Sequence, residues 1–167
     1  MTQPATSNQV TDLQEYLTEQ RRHVLGILEN LPEEAMRRPV LPTGWTCAGL
    51  VQHLALEVER FWFRQVMAGE QVEPDEFGED GWQVRPGVPA AAVLELYRRE
   101  IELADKVINA TSPEAPPAWW PDFFAPSFHL DNLRQVMLHV IAETACHAGH
   151  LDAARELIDG QTWLILT

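Results

Sequence analysis

The chain has 167 residues, of which 46% are apolar and 22% charged, a size and composition that build one globular domain with a real core and not a disordered segment. Twelve Lys and Arg stand against 25 Asp and Glu, a net charge of −13, so phosphate backbones and anionic lipid headgroups are repelled and neither nucleic acid nor a membrane surface is expected as a partner. No apolar run reaches the ~20 residues of a membrane span, the polar N-terminus lacks the basic and apolar regions of a secretory signal, and Cys47 and Cys146 are too few for a disulfide framework, so reduced thiols and a cytoplasmic location are expected.

Four helices and no strand are predicted. The first runs from about Thr11 to Leu31. Thr11 and Gln14 fit a capping box, and Leu13, Leu17, Val24, Ile27, Leu28 and Leu31 make an apolar stripe broken at Gln20 and Arg21. Pro32 ends it, and the linker to Gly44 has room for one helical turn. The second helix runs from Cys47 to Met67, with Thr46 as N-cap and Cys47, Leu50, Val51, Leu54, Val58 and Phe61 as its stripe. The acidic stretch from Ala68 to Gly87 reads as a solvated loop. The third helix begins near Pro89 and ends near Ala110, burying Leu94, Tyr97, Ile101 and Ile108. A proline-rich segment, Thr111 to Phe128, carries Trp119, Trp120, Phe123, Phe124 and Phe128, which either pack across the bundle end or wall a pocket or dimer contact. The fourth helix runs from Asp131 to Asp159, and Gly160 suits the position just past its end. An all-α four-helix bundle follows, as one domain over residues 1–167.

On a wheel of about 100° per residue, Leu133, Val136, Met137, Val140, Thr144, His147, Leu151, Ala154 and Ile158 form the core stripe of the last helix. His139, Glu143 and His150 lie on its flank, so His139, Glu143, His147 and His150 form a polar ladder. A buried carboxylate beside a buried imidazole needs a partner, and a divalent metal is one. Glu143 and His147, four apart, can reach one ion, and His53 on the second helix is the candidate third ligand. A semi-buried ion pair explains the same spacing without metal.

The stretch Gly44-Trp45-Thr46, then Leu50-Val51-Gln52-His53-Leu54-Ala55 with Glu59 and Trp62, resembles the second-helix signature of the DinB-like superfamily. The stretch from Val136 through Glu143 and His147 to Asp152, continuing through Arg155-Glu156 to Asp159-Gly160, resembles its last helix. Within that superfamily the chain is most similar to the branch that includes mycothiol-dependent maleylpyruvate isomerase. The resemblance implies a four-helix bundle holding a divalent metal, zinc or nickel, on His53, Glu143 and His147. It also implies low-molecular-weight thiol chemistry, transfer or isomerisation with mycothiol, bacillithiol or glutathione, and a homodimer.

Three protein ligands leave a fourth position for a small-molecule thiol, whose proton the site would help to remove before the sulfur meets an electrophile. His150 then reads as a proton shuttle or a ligand-holding residue, or else as a surface histidine paired with Asp152 or Glu156. Arg155 either orients a substrate carboxylate or pairs with Asp152 or Asp159. Cys47 reads as a buried inert thiol and Cys146 points away from the ligands. A metal-binding bundle without catalysis and a metal-free interaction module are the competing readings.

Overall fold

Helix α1 spans Ala5–Ile27 in the computed structural model, which describes residues 5–73, 76–78 and 80–163, with side chains from residue 11 onward. It starts earlier than the Thr11–Gln14 pattern predicts, because nothing between Ala5 and Val10 breaks a helix, and Thr11 lies inside it. Asn30, in the left-handed region at φ 59°, turns the chain into Pro32. The single turn expected in the linker is α2, Glu33–Met36.

Helix α3, Cys47–His53, is capped by Thr46, whose Oγ1 accepts from the Gly49 N–H at 3.0 Å. It runs straight into a π-wound stretch, Leu54–Met67, that closes with the Ala68 N–H on the Phe63 carbonyl five residues back, at 3.0 Å. The wider winding moves the buried stripe. Leu50, Leu54 and Val58 are buried as the α period predicts, but Trp62, Phe63, Val66 and Met67 then take over, and Phe61 is only half-buried.

Helix α4 spans Ala90–Ala110 with Pro89 as its N-cap. Its core face is Val93, Leu96, Tyr97, Ala104 and Ile108, while the predicted Leu94 and Ile101 sit half-buried on the flank. The difference comes from Glu100, which is fully buried and accepts from Arg60 at 2.9 Å and Arg64 at 2.8 Å. A hydrophobic stripe cannot register a carboxylate that faces inward. Helix α5, Leu133–Asp159, starts two residues later than expected and is capped by Asn132, whose side chain accepts from the Gln135 N–H. Gly160, at φ 76°, closes it. No strand occurs among the described residues. No helix there is long and apolar enough to cross a membrane.

The bundle has two halves. Helix α1 packs mainly on α5, and α4 packs mainly on the π stretch. Arg21, which interrupts the apolar stripe of α1, joins them. Its Nε and one terminal nitrogen donate to both oxygens of Glu59 at 2.7 and 2.6 Å, and its other nitrogen donates to Asp105 at 2.8 Å. The proline-rich segment covers the end of the π stretch. The N–H groups of Ala118 and Trp119 donate to the carbonyls of Met67 and Val66 at 3.3 and 3.1 Å, groups that a helix end leaves without partners. Trp120, Phe124 and Phe128 lie half-buried against Trp62, the first of the two alternatives for the aromatic run.

Glu59 is 0% exposed, so removing its partner strands a buried charge. Arg21→Ala should cost about 3–5 kcal/mol in urea unfolding. The double change Arg21→Met with Glu59→Leu should recover most of that loss, since two apolar residues leave no buried charge to solvate.

Candidate metal centre

Two helices from opposite halves of the bundle build the site. His53 is the last residue of α3, and Glu143 and His147 lie one turn apart on α5. Each offers one ligand atom, and the three atoms lie within 4.8 Å of one another. His147 Nε2 is 3.5 Å from Glu143 Oε2, and the His53 and His147 rings meet edge-on at 4.9 Å. His147 is 9% exposed, while His53 and Glu143 are half-buried. Burial and the neighbouring His53 ring push His147 down to about 4, against the pull of Glu143. At neutral pH it is therefore a neutral imidazole, the form a metal ligand requires.

Glu57 was not singled out by the sequence pattern, although it stands four residues after His53. Its Oε2 lies 2.5 Å from His53 Nδ1. A proton on Nδ1 donated to Glu57 leaves Nε2 as the nitrogen with a free lone pair for an ion. His150 stands on the far side of His147, with their Nδ1 atoms 3.4 Å apart. His139 is half-buried, its ring against Trp62 at 4.7 Å, and burial lowers its pKa while Glu143 partly restores it.

The structure does not bring Arg155 to this cluster. Its guanidinium is buried and donates to Asp159 at 3.0 Å, to the Ile27 and Glu29 carbonyls at 2.7 and 3.0 Å, and to Gln161 at 2.7 Å. Of its two alternatives the structural pair is present, and it ties the end of α5 to the end of α1. Cys47 is buried, and burial pushes its thiol up to about 11. Cys146 is exposed.

The acidic loop contributes what composition hid. Glu70, Glu73, Glu76 and Asp80 are exposed, as a solvated loop requires, and Asp75 and Glu79 lie outside the described residues. Yet Trp82 stacks on His53 at 4.3 Å and reaches His147 at 5.8 Å. Gln52, fully buried beside His53, holds the loop by donating to the Asp80 and Gln83 carbonyls at 2.8 and 3.3 Å. Two glycines permit this approach. A Cβ on Gly49 would meet the Trp82 carbonyl oxygen at 2.3 Å, and one on Gly81 would meet the Glu57 carboxyl carbon at 2.5 Å.

His53 and Glu143 open onto a cavity of about 550 Å³, walled on its other side by Phe61, Trp62, Phe123 and Phe124. The second alternative for the aromatic segment is therefore also present, because Phe123 and Phe124 line a pocket. Such a volume holds a small organic molecule.

By fold and site this is a helical bundle that offers two imidazoles and a carboxylate to one ion beside an aromatic cavity. A family model described as Mycothiol-S-transferase matches residues 12–160, and the chain belongs to that family, a DinB-like one. No curated protein and no solved structure matches the chain.

Protonation of His147 is easier in the unfolded chain, near 6.5, than in the fold, at about 4. Unfolding therefore takes up a proton between those values, and the stability that is complete above the upper one is lost as pH falls through the lower one. Chelator-treated protein should show this slope in urea melts taken across that range, and His147→Asn should flatten it.

Proposed function

We propose that the chain is a divalent-metal-dependent mycothiol S-transferase, with thiol-dependent isomerisation as the same chemistry on an unsaturated substrate. The observation that carries this reading is the convergence of His53, Glu143 and His147, with ligand atoms within 4.8 Å, at the wall of the aromatic cavity. Membership of the family supports the thiol.

The donor set fits zinc or nickel, which accept imidazole and carboxylate ligands. Held by His53, Glu143 and His147, such an ion would supply positive charge that favours the thiolate form of the thiol. The rest falls to the protein. Glu57 orients His53 through Nδ1, as ligand-holding carboxylates do. We assign His150, whose Nδ1 lies 3.4 Å from that of His147, to hold that ring or to take the thiol proton. Phe61, Trp62, Phe123 and Phe124 receive the apolar body of an electrophile. The sulfur forms a bond to the electrophilic carbon, and the displaced electron pair leaves with a leaving group or moves into a conjugated carbonyl. We place the reaction in the cytoplasm, where small thiols are kept reduced. We assign a homodimer, supported by the exposed Trp119 and Phe123.

Elemental analysis should find about one divalent ion per chain, the count for a three-ligand site. His53→Ala should lose most of it together with turnover of mycothiol and an activated aryl halide. Glu57→Gln should weaken metal affinity about 10–100-fold. A cobalt-loaded sample should develop a sulfur-to-cobalt charge-transfer band on adding mycothiol. Turnover that persists in metal-free His53→Ala protein would sink the reading, and metal binding without any turnover would favour a non-catalytic bundle. Light scattering should report twice the chain mass of 18.9 kDa.

A further inference from the structure

A second cleft, of about 620 Å³, opens beside the triad and shares no lining residue with the aromatic cavity. Two indoles, Trp45 and Trp82, wall it, with Thr43, Gln83 and Arg37 among its other lining residues. Both indoles reach the histidines. Trp82 stacks on His53 at 4.3 Å, and Trp45 lies 6.2 Å from His150. We propose that this cleft is the subsite for the uncharged sugar portion of the thiol cosubstrate, with the sulfur end passing Trp82 to the triad. The assignment rests on the reading of the chain as a mycothiol transferase and adds where, and by what chemistry, the thiol is recognised.

Three observations support it. The first is chemical class. An indole presents a flat face of negative potential, which attracts the polarised C–H groups on one face of a sugar ring, while hydroxyl and amide groups such as those of Thr43 and Gln83 suit its rim of hydroxyls. The charge of Arg37 is already met by Glu33 at 2.5 Å and by the Val88 carbonyl, so the cleft does not ask for an anion.

The second is the surrounding field. Glu57 and Glu143 stand at the triad, and the loop that carries Trp82 is acidic. Thiols that bear free carboxylates, such as glutathione or the malyl group of bacillithiol, meet like charge there, whereas a neutral pseudodisaccharide does not.

The third is reach. In mycothiol the sulfur and the glucosamine ring are separated by five bonds, about 6 Å when extended. The Trp82 ring lies 4.3 and 5.8 Å from the two candidate histidine ligands. An arm of that length spans from the edge of the Trp82 ring to the triad. The wall is also set before binding, because Gln52 holds the loop and the backbone of Trp82 presses on Gly49.

The test is a titration of the metal-loaded chain with the thiol-free pseudodisaccharide N-acetylglucosaminyl-inositol, whose amide keeps it uncharged, read by tryptophan fluorescence. A saturable change is expected, weakened at least tenfold in Trp45→Ala. Because Trp45 also packs against the core, Thr43→Tyr is the second variant. Thr43 is exposed in a turn, so added bulk there fills the cleft and not the core. It too should weaken binding at least tenfold. The ratio of KM for mycothiol to KM for N-acetylcysteine should rise at least tenfold in both variants. Absence of a saturable change in the unaltered protein, or equal affinity in Thr43→Tyr, overturns the subsite. Turnover of mycothiol without binding of the disaccharide removes the subsite and leaves the transferase. Binding of the disaccharide without turnover removes the transferase and leaves the cleft.

Discussion

The forked pair between Arg21 and Glu59 joins the two half-bundles by a buried, directional contact. One half carries His53 on α3, and the other carries Glu143 and His147 on α5. A cluster whose ligand atoms lie within 4.8 Å tolerates little sliding between those halves. Apolar packing alone permits small shifts of register, because Leu against Leu is much the same one step along. A guanidinium fork on a carboxylate is satisfied in one geometry only. Asp105 takes the remaining nitrogen of Arg21 and brings α4 into the same joint. The ion pair is therefore better understood as setting alignment than as adding net stability, since buried pairs of this kind roughly offset their own desolvation.

Much of the site was legible in the sequence because α5 is a regular helix. A period of 3.6 puts Thr144, His147 and Leu151 on the core line and Glu143 beside them, and each is where that period places it. His53 was legible for the same reason, as it precedes the change of winding. Beyond Val58 a fixed angle per residue fails, which is why Phe61 was assigned to the core and Trp62 and Phe63 hold it instead. No propensity scale marks that change. Buried charge was the second blind spot. Arg21 read as a gap in a stripe and Glu100 gave no signal in the pattern, and both are interior because a partner from another helix meets them. Trp82 was the third. Its loop is acidic and exposed on average, and one indole within it stacks on His53 because Gln52 and Gly49, distant in sequence, and the adjacent Gly81 make room.

The two clefts flank the triad with different chemistry. One is aromatic and takes its walls from the π stretch and the proline-rich segment. The other is polar, with an indole at each side, and takes its walls from the turn before α3 and the acidic loop. Chemistry that joins two unlike molecules at one atom calls for this division, with each reactant held by its own surface and the reacting ends brought together.

The end of the π stretch hands its Met67 and Val66 carbonyls to the segment that bears Phe123 and Phe124. The far wall of the aromatic cavity thus hangs from a helix whose pitch is unusual, while the near wall stands on helices of ordinary pitch. Adding or deleting one residue inside a helix normally wrecks a bundle, because every later side chain is turned away from its partners. Here the wide winding already accommodates surplus residues, and losing one would tighten the coil toward the α form. Trp62 and the hanging segment would rotate together, while His53, upstream of the change, would stay in place. Single-residue insertions and deletions past Glu57 and Glu59, between positions 61 and 67, are accordingly a route by which related chains could reshape the aromatic cavity without disturbing the candidate metal ligands.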